Sequence, residues 1–83
     1  MTIISREEIE KDLEKRLKKP LIIEIKTSSD LSDNIAKSTI IREKLGYNEQ
    51  LMTHGSYRAF IKHSANGKPN EVYVILYHWV ELK

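Results

Sequence analysis

The stretch NEVYVILYHWVELK, Asn70 to Lys83, decides how this chain is read. Its β-branched and aromatic residues predict a strand. Side chains alternate across a strand. Val72, Val74, Leu76, His78 and Val80 therefore fall on one face, and Tyr73, Ile75, Tyr77, Trp79 and Glu81 on the other. The first face is aliphatic and reads as core, with His78 expected to be buried and hydrogen-bonded. The second is aromatic, and neither face is suited to water.

The segment SYRAFIKH, from Ser56 to His63, predicts the strand before it, with SANGKPN as the connecting turn. Burying Arg58 or Lys62 without a partner is costly. Placing both outside sends Tyr57, Ala59 and Ile61 inward. Odd residues of this strand then lie opposite even residues of the last, for instance Tyr57 opposite His78. A slip of one residue would drive Arg58 and Lys62 into the core.

Upstream, Ser5 and Glu8 form a capping box, and Ile4 and Ile9 a hydrophobic staple. Ile9, Leu13 and Leu17 make a narrow apolar stripe. Glu7/Lys11, Asp12/Arg16 and Glu14/Lys18 are i,i+4 pairs in the favourable order. Lys18 and Lys19 suit the helix C-terminus and Pro20 ends the helix. LIIEIKT, Leu21 to Thr27, predicts a strand. A second helix is expected from Ser32 or Asp33, burying Ile35, Ala36, Ile40, Ile41 and Leu45 and closing near Gly46. Tyr47 to Gly55 reads as irregular, with a helical turn over Glu49–Met52.

These segments predict one α+β domain covering residues 1–83, in the order α-β-α-β-β. Two helices lie on one face of a small three-stranded, mainly antiparallel sheet. The other face then carries Ile22, Phe60, Tyr73, Ile75, Tyr77 and Trp79, rimmed by Lys26, Arg58 and Lys62. A contiguous aromatic patch of this kind marks an interaction surface.

The chemistry of the rest of the chain narrows the function. There is no cysteine, hence no disulfide and no thiolate metal site. No apolar run is long enough to span a bilayer. The opening MTIISREEIEKD turns acidic after four residues and lacks a secretory leader's apolar core. A cytoplasmic, reducing setting is expected. His54, His63 and His78 do not converge in the expected register, so no metal and no cofactor is expected. His54 and Ser56 flank Gly55 with no acidic residue placed to orient the ring, and a turn accounts for them better than a nucleophile does. Asp30 and Asp33, among Ser28, Ser29, Ser32 and Asn34, read as turn and cap residues. The basic cluster Lys15 to Lys19 reads as a solvated helix end.

The expected function is a small non-enzymatic binding protein whose face of Lys26, Arg58, Phe60, Lys62, Tyr73, Ile75, Tyr77 and Trp79 is covered by a second copy of the chain, as a homodimer, or by another protein. The alternative occupant is single-stranded nucleic acid, with aromatic rings stacking bases and the basic rim meeting phosphates. A net charge of +2 is too small to favour it by itself. A small enzyme dependent on His54 or His78 is the second alternative. By analogy of size and lack of motifs alone, the chain compares with small viral or phage accessory and inhibitor proteins.

Overall fold

A computed structural model describes residues 2–18, 20–51, 55–65 and 67–83. The elements in chain order are β1 (Thr2–Ile4), α1 (Arg6–Leu17), β2 (Leu21–Thr27), α2 (Leu31–Glu43), β3 (Glu49–Leu51), β4 (Tyr57–Lys62), β5 (Asn70–Leu76) and β6 (Val80–Leu82). The main sheet has four strands in the order β2-β5-β4-β3. β2 runs parallel to β5, while β4 is antiparallel to both β5 and β3. β1 and β6 form a separate two-stranded parallel ladder.

Helix α1 follows its local signals. The Ser5 hydroxyl accepts from the Glu8 amide at 3.1 Å, and the Glu8 carboxylate accepts from the Ser5 amide at 3.1 Å. Two otherwise orphaned helix N–H groups are thereby satisfied. Glu7–Lys11 and Asp12–Arg16 pair as expected, and Arg6–Glu10 adds a third i,i+4 pair. Lys18 caps the C-terminus in the left-handed region, at φ 55°. Lys19 lies outside the described residues.

Ile9 and Leu13 of α1 are fully buried against Ile23, Tyr57, Ala59, Ile61, Val72, Val74, Leu76 and Val80. This is the main core, and it sits on the face that the parity of β4 and β5 predicts. Apart from Tyr57, its buried members are all aliphatic.

Three expectations are corrected. The sheet is mixed and four-stranded, because Glu49–Leu51 extends beside β4 instead of making a helical turn; Met52 lies outside the described residues. The last strand is interrupted: β5 stops at Leu76, a turn covers Tyr77 to Trp79, and β6 resumes at Val80. Tyr57 therefore lies opposite Leu76, with the predicted parity but two residues from the expected partner.

The third correction concerns α2. The two helices lie on opposite faces of the sheet, not on one, and make a three-layer arrangement. α2 packs chiefly over β5, burying Ile41 against Phe60 and Ile75. Its inward side is Asn34, Ser38 and Ile41, whereas Ile35, Ala36, Ile40 and Leu45 are exposed. Small polar residues permit the close approach, and local hydrogen bonds make their burial tolerable. The Ser38 hydroxyl donates to the Asn34 carbonyl at 2.7 Å, and the Asn34 side-chain amide donates to the Ser28 hydroxyl at 3.3 Å. Ser28 in turn donates to the Leu76 carbonyl at 2.9 Å. The seam ties the helix to the end of β5 and buries its polar atoms with partners, apart from Asn34 Oδ1. The chain leaves α2 through Gly46, at φ 83°, a conformation open to glycine, and the Tyr47 amide returns to the Ile41 carbonyl at 3.1 Å.

Candidate interaction surface

The parity of β4 and β5 puts Arg58, Phe60, Lys62, Tyr73 and Ile75 on one face, as the sequence predicts, but that face is the one α2 covers. The position of α2 then divides them. Phe60 and Ile75 are sealed beneath the helix at 0% exposure and belong to no free surface. This corrects their assignment to an open interaction face: the missing cover for much of the aromatic face is the chain's own second helix.

What stays accessible falls into separate patches. Along one flank of α2, a groove of about 150 Å³ is lined by Lys26, Lys37, Ile40, Ile41, Leu45 and Tyr73. Ile22 is exposed on the same face of β2, two residues before Glu24. Tyr73 is half-buried, and its ring meets Tyr47 edge-on at 5.8 Å. The Lys26 ammonium stands 3.9 Å from the Glu24 carboxylate, both more than half exposed. Burial pushes the Tyr73 hydroxyl above its ordinary pKa, with the Glu24 charge adding to the effect.

At the end of β5, Tyr77 and Trp79 stack with centroids 4.5 Å apart and planes within 6° of parallel. Trp79 is 44% exposed. Arg58 Nε donates to the Tyr77 hydroxyl at 3.0 Å, and the guanidinium lies 5.7 Å from the Tyr77 ring centre, within cation–π reach. His78, expected in the core, is exposed in this turn and packs edge-on against Trp79. The break in the strand rotates it out of the alternation on which its burial depended.

At the opposite end, Lys62 is exposed. Its ammonium donates to the Leu45 carbonyl at 3.4 Å and lies 5.8 Å from the Tyr47 ring centre. Close by, His63 hydrogen-bonds Glu49. Arg58, Lys62 and Lys26 thus occupy three places around α2 and do not form one continuous basic rim.

The sequence leaves open whether β2 is a central or an edge strand. This seven-residue strand is an edge of the sheet. The Asn70 amide donates to the Pro20 carbonyl and the Ser28 amide to the Leu76 carbonyl, each within 3.1 Å. In a parallel ladder this phase turns the even-numbered peptide groups of β2 toward β5. The N–H and C=O groups of Leu21, Ile23, Ile25 and Thr27 consequently point away from the sheet. Among the described residues one of them is engaged: the Arg6 guanidinium donates to the Ile23 carbonyl at 2.5 Å. The signal in the sequence was weak, because LIIEIKT reads equally well as a central or an edge strand.

The polar groups elsewhere have structural work. Asp30 caps α2 by accepting from the Asp33 amide at 2.7 Å. The Lys37 ammonium, followed by the Ser29 amide, holds the Asp33 carboxyl below its ordinary pKa. The Tyr57 hydroxyl donates to Asp12 at 2.7 Å, and burial first, then this hydrogen bond, raise its pKa strongly. Among the described residues, no three His, Cys, Asp or Glu side chains gather as a metal-binding group. His54 lies outside the described residues. No described helix is long and apolar enough to cross a membrane.

No family model, curated protein or solved structure compared with this chain matches it.

Proposed function

We propose that this chain is a non-catalytic interaction protein that works as a homodimer in a reducing, cytoplasmic setting. The observation that carries the reading is the uncovered strip beside α2. Ile22 and Ile40 are each about half exposed next to a groove and an unpaired strand edge. Isolated apolar residues on a surface are ordinary, but a strip alongside an open edge is surface whose burial favours association. For a domain this small, a second copy also adds to a thin stability margin. Sedimentation equilibrium tests the reading. The expected species has twice the 9.7 kDa chain mass; a chain that stays monomeric at the highest soluble concentration removes it.

The Tyr77–Trp79 stack favours a second reading, single-stranded nucleic acid. A base stacking on the accessible ring of Trp79 would gain ~1–3 kcal/mol, with Arg58 beside it. Oligonucleotide titration should then quench Trp79 fluorescence with a steep salt dependence. Unchanged fluorescence at low salt eliminates this alternative.

A further inference from the structure

We propose that two copies pair through their β2 edges, antiparallel and centred on Ile25, so that the two four-stranded sheets become one. The inference rests on the homodimer reading above and specifies its interface.

The edge is built for pairing. β2 is seven residues long, whereas β3, the opposite edge, has three. Natural edges of this length are usually blocked by a bulge, an internal proline, a covering segment or inward charges. β2 is paired with β5 residue for residue from Leu21 to Thr27 and has no proline within it. Arg6 holds a single carbonyl of the edge, that of Ile23.

Backbone phase and charge then select the register. Only odd residues of β2 direct their peptide groups outward, so an antiparallel self-pair must set odd residues opposite odd ones. The two-fold axis consequently passes through a residue. Centred on Glu24, the carboxylate faces its own copy; centred on Lys26, the ammonium does. Both arrangements oppose like charges directly, which destabilises a sheet. Centred on Ile23, Glu24 faces Ile22 and Lys26 faces Pro20, leaving the charges without partners across the junction. Centred on Ile25, Glu24 lies opposite Lys26 of the other copy, and by symmetry the contact forms twice. Ile25 faces Ile25, and Ile23 faces Thr27. The outward amides and carbonyls of Ile23, Ile25 and Thr27 all find partners. Arg6 must release the Ile23 carbonyl to the incoming Thr27 amide and keeps its ion pair with Glu10.

The same symmetry accounts for the exposed strip. In this register, opposed residues point to the same side of the sheet, so both α2 helices lie on one side of the junction. Each packs over β5, one strand in from the edge. Three strand spacings separate their axes, ~14 Å. Ile40 and Leu45 of both copies then wall a narrow trough whose floor holds Ile22, Glu24 and Lys26 from each β2.

Charge reversal tests the register. Glu24→Lys alone, or Lys26→Glu alone, replaces two attractive contacts with two repulsive ones and should raise the dimer dissociation constant at least about tenfold at low salt. The double variant Glu24→Lys/Lys26→Glu restores opposite charges at both contacts and should recover the wild-type mass. Both side chains are exposed, so the fold should survive, as circular dichroism will verify. A separate measurement keeps the native charges. In this cysteine-free chain, Ile25→Cys should oxidise to a covalent dimer, because its Cα stands ~5.5 Å from its own copy; Glu24→Cys, which meets Lys26, should not. A wild-type dimer that ignores both single charge changes, or fails to cross-link through residue 25, overturns the β2 interface while leaving the homodimer intact. A wild-type monomer overturns both.

Discussion

The two faces of the sheet are covered by helices of similar length in different ways. α1 buries aliphatic side chains, Ile9 and Leu13, in a large apolar cluster and turns its charges to water. α2 buries Asn34, Ser38 and Ile41 and turns Leu31, Ile35 and Ile40 to water. The first layer is held by removing apolar surface from solvent, which scales with area. The second is held by a few contacts and a hydrogen-bonded seam, whose net worth per bond is small. The α1 layer accordingly acts as the foundation of the domain, and the α2 layer leaves apolar side chains in contact with solvent.

Matched truncations put that asymmetry at risk. Leu13→Ala removes a fully buried side chain from the main cluster and should cost ~3–5 kcal/mol of unfolding free energy, read from the denaturant midpoint. Ile41→Ala acts in a cluster whose other buried members are Phe60 and Ile75, and should cost ~2–3 kcal/mol. Equal losses would mean that the two faces are equally important to the fold and would dissolve the distinction.

The difference also shows what the sequence could convey. α1 was legible because its determinants are local: Ser5, Glu8, the Glu7–Lys11 and Asp12–Arg16 pairs and Pro20 lie within sixteen residues of chain. The bounds of β2 and the parity of β4 against β5 were legible for similar reasons, since alternation and the cost of burying Arg58 and Lys62 favour one choice over the alternative with Phe60 inward and its charged neighbours snorkelling. α2 was not. Its apolar residues lie on both sides of Asn34 and Ser38, so hydropathy pointed to Ile35 and Ile40 as core. The partners that make Asn34 and Ser38 acceptable inside, Ser28 and the Leu76 carbonyl, become neighbours only when β2 and β5 pair. The pairing of β1 with β6 is likewise non-local. The turn at Tyr77–Trp79 has neither glycine nor proline to announce it. Of the candidate face, Tyr73, Tyr77, Trp79, Arg58, Lys26 and Lys62 keep accessible surface, while Phe60 and Ile75 lost theirs to a helix whose side of the sheet could not be read.

The intermediate prediction concerns the α1 face and alkaline pH. In the folded chain the Tyr57 hydroxyl has a raised pKa, chiefly through burial and then through its hydrogen bond to Asp12. A group whose folded pKa exceeds its unfolded value contributes stability that is complete below the unfolded pKa and declines as pH rises past it. With an unfolded tyrosine near ~10, stability should fall above about pH 10. Tyr57→Phe should cost ~0.5–1.5 kcal/mol at neutral pH through the lost hydrogen bond. It should also flatten the alkaline part of the curve. An unchanged slope above pH 10 would show that another group governs it.

The smallest expected effect on stability is the sharpest probe of the α2 face. Ile40→Ser replaces a half-exposed side chain on the flank of the groove. Serine gives up little buried area and a modest helix propensity, so the unfolding free energy of the isolated chain should change by no more than ~0.5 kcal/mol. The homodimer should weaken measurably, because residue 40 faces the trough between the copies. A variant that loses stability as Leu13→Ala does would place Ile40 in the core and return α2 to an ordinary amphipathic role. A variant that leaves both stability and dimer mass unchanged would confine the interface to the backbone and charges of β2. Weakened association with unchanged unfolding would separate the two layers as argued: one side of the sheet holds the fold, and the other holds the partner.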